Sequence, residues 1–220
     1  MTRYKTLILD ADSTVAGIEG IDWLARRRGD AMERRVAALT DEAMRGDIPL
    51  EQVYGARLNA IQPTRQDIDA LSRAYVEAIA PGCVELVEAA TNAGIRVLLI
   101  SGGLRPALVP LARAVGVAES NLYAVEIRFQ DDGSYAGFDE SSPLTTTNGK
   151  PVVVERAQLP RPIIAVGDGS TDLAMQPVVD CFVAFTYFVA REAVVRGANA
   201  VARNFADVAQ LMPLVIPSER

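Results

Sequence analysis

Three short apolar runs, each ending at a small or acidic residue, constrain this chain more than any other feature. Residues 4–9 run into Asp10, residues 95–100 (IRVLLI) into Ser101, and residues 162–166 into Gly167-Asp168. Largely apolar runs of this length, without polar alternation towards their ends, read as strands buried on both faces, which is the habit of parallel sheets. Residues 181–185 and 199–202 are shorter candidates of the same kind. Helical patterns lie between them. Residues 83–93 carry apolar positions at helical spacing, and Leu108, Leu111, Ala112 and Val115 recur at i, i+3, i+4 and i+7 behind Pro106, which suits a first turn. Residues 205–212 close the chain with another helix. Strands alternating with helices predict an α/β fold, a Rossmann-like parallel sheet core with helices on both faces.

Two segments break the alternation. From about residue 17 to residue 80 the chain reads as all-helical, with a helix start at Pro49 and punctuation at Gln62-Pro63-Thr64. This predicts a small helical cap, residues 17–80, inserted after the first strand into a core formed by residues 1–16 and 81–220, with Pro81-Gly82 as the return hinge. Residues 123–138 hold two β-like runs around Asp131-Asp132-Gly133, a turn signal, and predict a small β-hairpin.

Composition removes most chemistries. The chain has no histidine, which excludes Ser-His-Asp hydrolysis, histidine phosphatases and His-ligated zinc. Neither Cys83 nor Cys181 has an arginine six residues later, so the cysteine-phosphatase loop is absent. A catalytic metal would then have oxygen ligands, which favours Mg²⁺. The net charge of −6 speaks against nucleic-acid binding. No apolar run approaches the ~18 residues that span a bilayer. The N-terminal residues lack a signal-peptide pattern, and two cysteines in unrelated contexts suit a reducing compartment, so a cytoplasmic location is expected.

Four polar elements carry the chemistry. Asp10-Ala11-Asp12-Ser13-Thr14 follows the first strand, and strand alternation would turn Asp10 and Asp12 into one space, where like charges drive two pKa values apart. One carboxylate then suits a nucleophile and the other a proton donor. Ser101-Gly102-Gly103, read as a glycine turn opening a helix, offers a hydroxyl and amides to a phosphate. Lys150 supplies a cation, and Gly167-Asp168-Gly169-Ser170-Thr171-Asp172 places a hard-metal ligand at a strand end, with Asp172 able to orient Lys150. Each element alone reads equally well as a turn, a helix cap or a surface charge. Their joint order, three of them at strand ends where α/β sheets gather ligands, does not.

These residues resemble the motifs of the haloacid dehalogenase superfamily of phosphotransferases, and the likeness is to its phosphoserine phosphatases over nearly the whole length. By that resemblance Asp10 is the nucleophile, Asp12 the general acid and base, Ser101 and Gly102 the second motif, Lys150 the third, and Asp168 a Mg²⁺ ligand together with Asp10 and the main-chain carbonyl of Asp12. The stretch DSTVAGIEGIDWLA is similar to the family's DSTV…EGIDELA and implies that Glu19 holds a substrate ammonium. PLEQVYGARLNAIQPTR is similar to the segment in which an arginine grips the substrate carboxylate, here Arg57. Leu50 stands where many members have phenylalanine. Thr171, where many microbial members have asparagine, joins the substrate-binding set. The resemblance implies Mg²⁺-dependent dephosphorylation of phosphoserine in serine biosynthesis, by a monomer or homodimer. A phosphatase or phosphotransferase of the same superfamily acting on another small phosphorylated metabolite, for example one passing the phosphoryl group to homoserine, or a non-catalytic binding role on the same fold, are the alternatives.

Overall fold

The computed structural model describes residues 4–45 and 47–216. Strand β1 (Thr6–Leu9) is wholly buried and pairs in parallel with β2 (Arg96–Leu104) on one side and β6 (Ile163–Gly167) on the other. Outside β2 lies β3 (Leu122–Val125), and outside β6 lie β7 (Cys181–Phe185) and β8 (Ala200–Ala202), giving a six-stranded all-parallel sheet in the order β3-β2-β1-β6-β7-β8. Helices α5 (Cys83–Asn92), α6 (Arg105–Ala114), α7 (Gly149–Arg156), α8 (Ser170–Leu173), α9 (Glu192–Gly197) and α10 (Phe205–Leu211) connect and cover the strands. The sheet grows one way from β1 to β2 and β3, then returns to the other side of β1 with β6. A crevice must open between the carboxyl ends of β1 and β6, because the connections leaving them depart in different directions.

Two details differ from the sequence reading. Strand β2 does not stop at Ser101 but continues to Leu104, and α6 starts only at Arg105. Pairing with β3 resumes at Leu104↔Val125, so β2 spends four residues after Ile100 where β3 spends two. Residues 101–103 are thus a bulge in a paired strand rather than a turn opening a helix, a device that re-aims side chains beside a site. Residues 122–125 belong to the main sheet, and the hairpin is confined to β4 (Ile127–Phe129) and β5 (Tyr135–Phe138), which pair antiparallel.

The segment between β1 and α5 is helical: α1 (Gly20–Arg26), α2 (Asp30–Arg45), α3 (Leu50–Ile61) and α4 (Arg65–Glu77). Gln62 ends α3 in the left-handed region, and Thr64 opens α4 with a reciprocal capping box: its hydroxyl accepts from Asp67 N while its own main-chain N–H donates to Asp67 Oδ2. Arg27 and Arg28 of the first helix's end also donate to Asp67 at 3.0 and 2.8 Å. Burial alone would raise the Asp67 carboxyl, but these donors outweigh it and hold it below the usual carboxylate range. Asp67→Ala is therefore expected to cost about 1–2 kcal/mol, read as a lower urea midpoint at pH 7. The contribution is present above the unfolded carboxylate pKa and is lost as pH falls through the depressed folded value. The gap between wild type and variant should accordingly narrow in acid.

The helical insertion is seated on the sheet's carboxyl end. Tyr54 Oη donates to Gly102 O (2.7 Å), Leu50 N donates to Thr147 Oγ1 (2.8 Å), and Ser170 Oγ donates to Ala43 O (2.9 Å). At its root, Gly17 N meets Ala78 O and Ala80 N meets Val15 O, so the outgoing and returning chains run side by side.

Candidate active site

Asp10 follows β1 directly and Asp168 follows β6 directly, so the crevice predicted by topology opens between two carboxylates. Lys150, in the first turn of α7, reaches the same point from a third direction. Its Nζ donates to Asp10 Oδ1 (2.6 Å) and to Asp172 Oδ1 (2.5 Å), and all three side chains are buried. Gly167 is required here because a Cβ would collide with the Asp172 carboxyl. Burial, and after it the charge of Asp172, push the Asp10 carboxyl up to about 7 against the pull of Lys150. Burial would lower the Lys150 ammonium, yet the two carboxylates outweigh it and hold it above its ordinary range.

Asp12 sits on the turn beyond β1. Ser13 adopts a left-handed φ of 51° in that turn, and its hydroxyl donates to Glu19 Oε1 (2.8 Å). Tyr75 Oη of α4 donates to Asp12 Oδ1 (2.5 Å), and Gly20 N to Asp12 Oδ2 (3.4 Å). Burial first, then the charges of Glu19 and Asp10, drive the Asp12 carboxyl well above its ordinary value despite those bonds. The two carboxylates thus differ in partner: Asp10 is paired with a cation, and Asp12 is held only by neutral donors. A carboxyl that keeps its proton beside one paired with a cation is the arrangement general acid catalysis needs.

The wall opposite the sheet comes from the helical insertion. Glu19, Asp22, Thr40, Leu50, Tyr54 and Arg57 line the same cleft as Asp10, Asp12, Ser101, Gly102, Lys150, Asp168 and Thr171. Arg57 is 3% exposed. Its Nη1 donates to Thr40 Oγ1 (2.6 Å), and its Nε has no partner among the described residues. Arg191, the buried residue before α9, links two residues of the cleft: it hydrogen-bonds Asp168 Oδ2, and its Nη2 lies 3.5 Å from Glu19 Oε1.

Every sequence-predicted site residue except Asp172 lines this one cleft, and Asp172 stands behind Lys150. Sequence reasoning missed Asp22, Thr40, Tyr54, Tyr75 and Arg191. Asp22 and Tyr54 lay within matched stretches, but the others sit in helices or loops with no local signal. Carboxylate oxygens of Asp10, Asp168 and Asp172 fall within 4.8 Å of one another and are buried. A buried, all-oxygen set of negative groups fits a hard divalent cation. Asp172 is engaged through both oxygens, Oδ1 by Lys150 and Oδ2 by Gly169 N (3.0 Å), whereas Asp10 meets Lys150 through Oδ1 and Asp168 meets Arg191 through Oδ2, so a cation there would share these two carboxylates with the basic side chains.

Comparison with known proteins identifies the family. Residues 5–176 match the haloacid dehalogenase-like hydrolase family. A phosphoserine phosphatase of Bos taurus is 34% identical over 202 residues, covering 90% of this chain and 89% of its own. Among solved structures, a phosphoserine phosphohydrolase-like protein from Francisella tularensis superposes with a TM-score of 0.85 at 29% identity, covering 94% of this chain and 99% of that one. A phosphoserine phosphatase solved as a phospho-aspartyl intermediate analogue shares the fold at a TM-score of 0.79 and 22% identity, covering 96% of this chain and 100% of its own. No helix among the described residues is long and apolar enough to cross a membrane. Matching this family over residues 5–176 and these relatives over nearly its whole length, the chain belongs to the haloacid dehalogenase-like hydrolases, and within them to the phosphoserine phosphatases.

Proposed function

We propose that this enzyme hydrolyses O-phospho-L-serine to L-serine and phosphate through an aspartyl-phosphate on Asp10, with Mg²⁺ as cofactor. The observation that carries the reading is Arg57, a buried guanidinium with an orphaned Nε on the wall of the cleft that also holds Glu19 and Asp10. A buried donor left unpaired is costly, and a substrate carboxylate is the partner it lacks. Glu19 suits the substrate ammonium, and Ser101, Gly102, Lys150 and Thr171 suit the phosphoryl oxygens.

In the first step an Asp10 carboxylate oxygen bonds to phosphorus and the bond from phosphorus to the serine oxygen breaks, Asp12 giving its proton to that oxygen. In the second, Asp12 takes a proton from water as its oxygen bonds to phosphorus, and the bond to Asp10 breaks. Lys150 offsets charge at Asp10 throughout, and the closed helical wall excludes bulk water. A divalent cation held by Asp10, Asp168 and the Asp12 carbonyl supplies further charge neutralisation when bound. The same reading divides the chain into a core, residues 1–16 and 81–220, and a cap, residues 17–80. It also places the protein in the cytoplasm, in keeping with its two free cysteines.

Phosphate release from phosphoserine, phosphothreonine, phosphoethanolamine and p-nitrophenyl phosphate, with Mg²⁺ and with EDTA, tests the proposal. Phosphoserine should be preferred, and EDTA should stop turnover. Arg57→Ala should raise KM for phosphoserine on the order of 100-fold, as expected for lost charge-assisted hydrogen bonds, while sparing p-nitrophenyl phosphate. Equal loss on both substrates would remove Arg57 from specificity. Phosphoryl transfer to added homoserine in place of hydrolysis would favour the transferase alternative.

A further inference from the structure

Three helices of the insertion meet in a chain of polar groups in the cleft wall. Arg57 Nη1 on α3 donates to Thr40 Oγ1 on α2 at 2.6 Å, and Thr40 Oγ1 lies 2.5 Å from Asp22 Oδ1 on α1. Thr40 is 2% exposed. Its oxygen also lies 3.1 Å from Val36 O, the ordinary back-bond of a helical threonine. A guanidinium only donates, so the Thr40 oxygen must accept from Arg57. Its single proton is then available to Asp22, the nearer of its two acceptors. No carboxylate bonds Arg57 directly among the described residues, so its charge is answered through the hydroxyl.

We infer that Thr40, backed by Asp22, is a specificity-determining positioning residue: it anchors one arm of the Arg57 fork so that the remaining donors stay free for the substrate's carboxylate. This rests on the proposed reading of Arg57. Direct pairing with Asp22 would occupy the fork that a carboxylate needs. Without any anchor, the long side chain would lose its preorganisation in the cleft. The hydroxyl avoids both outcomes, holding Nη1 while Asp22 supplies the balancing charge one bond further away. Burial raises the Asp22 carboxyl to about 6 against the lowering pull of the Thr40 hydrogen bond, so the hydroxyl's proton favours the charged form that balances Arg57.

The test compares phosphoserine with phosphoethanolamine, which keeps the phosphate and ammonium and lacks the carboxylate. Thr40→Val, which keeps the shape and removes the hydroxyl, should raise KM for phosphoserine about tenfold, with a smaller change in kcat and a several-fold smaller effect on phosphoethanolamine. Thr40→Ser should restore wild-type KM, and Asp22→Asn should move KM in the same direction as Thr40→Val. In an Arg57→Ala background, Thr40→Val should have no further effect on phosphoserine, because the coupling runs through the guanidinium. Equal losses on both substrates, or a full Thr40→Val loss persisting without Arg57, would make Thr40 merely structural and overturn the inference. Should Thr40→Val fail to fold, the Thr40→Ser and Asp22→Asn pair carries the same comparison. A wild type indifferent between the two substrates would overturn the reading of Arg57 itself, and the inference with it.

Discussion

Asp10→Asn is expected to lower phosphate release by a factor on the order of 10⁴ or more, the scale on which loss of a covalent nucleophile is felt. The substitution keeps the shape and the hydrogen bond to Lys150, so the fold should survive. Its effect on stability should run the other way. Burial and the Asp172 charge raise the Asp10 carboxyl to about 7, so folding disfavours its ionised form. For an acid raised in this way, stability is lost as pH rises from the unfolded value through the folded one. In EDTA at pH 8 the variant should therefore melt no lower than wild type, and its advantage should vanish in acid. An acid-quenched reaction should contain phosphorylated protein for wild type and none for the variant. Residual phosphoprotein in Asp10→Asn would move the nucleophile elsewhere.

Lys150→Met is the second large effect, and here activity and stability should fall together. Lys150 is the cation that both Asp10 and Asp172 contact. Removing one partner of a buried ion pair leaves uncompensated charge and costs roughly 3–5 kcal/mol. A denaturant midpoint measured in EDTA reads this directly. Turnover should drop about 10³-fold, in line with loss of a preorganised charge at a reacting centre. The double variant Lys150→Met/Asp172→Asn separates the two roles: it removes one orphaned carboxylate and should recover part of the stability, yet none of the activity. Recovery of turnover in the double variant would show that Lys150 acts only as a structural counter-charge. A Lys150→Met protein as stable as wild type would mean that water reaches Asp10 and Asp172 in solution.

Much of the architecture was legible because its signals are local. The run VLLI that follows Arg96 is too apolar for a half-exposed strand, and repetition of such runs between helical patterns leaves few arrangements other than a covered parallel sheet. The helical insertion was legible in its caps, Gln62 closing α3 and Thr64 opening α4. What escaped depended on partners distant in sequence. Residues 123–125 read as part of a hairpin, because nothing in a short β-like run says which strand it will join. They pair instead with β2. That pairing carries β2 past Ser101 and turns an expected loop into a bulge.

The candidate site divides along the same line. Asp10, Ser101 and Asp168 stood out because apolar runs end at them, and the carboxyl edge of such a sheet is where a ligand crevice forms. Sequence alone also settled which chemistry was available, since a chain without histidine must work with carboxylates, a lysine and hydroxyls. Only the tertiary structure decided how those charges pair. Lys150 lies 140 residues from Asp10, Tyr75 63 from Asp12, and Arg57 17 from Thr40. These separations obey no helical or strand period, because the contacts form between elements rather than along them. Which carboxylate is paired with a cation, which is held by neutral donors and pushed well up, and which hydroxyl meets Arg57 follow from burial and approach in three dimensions, where a few ångströms of low-dielectric interior set the energy of a charge.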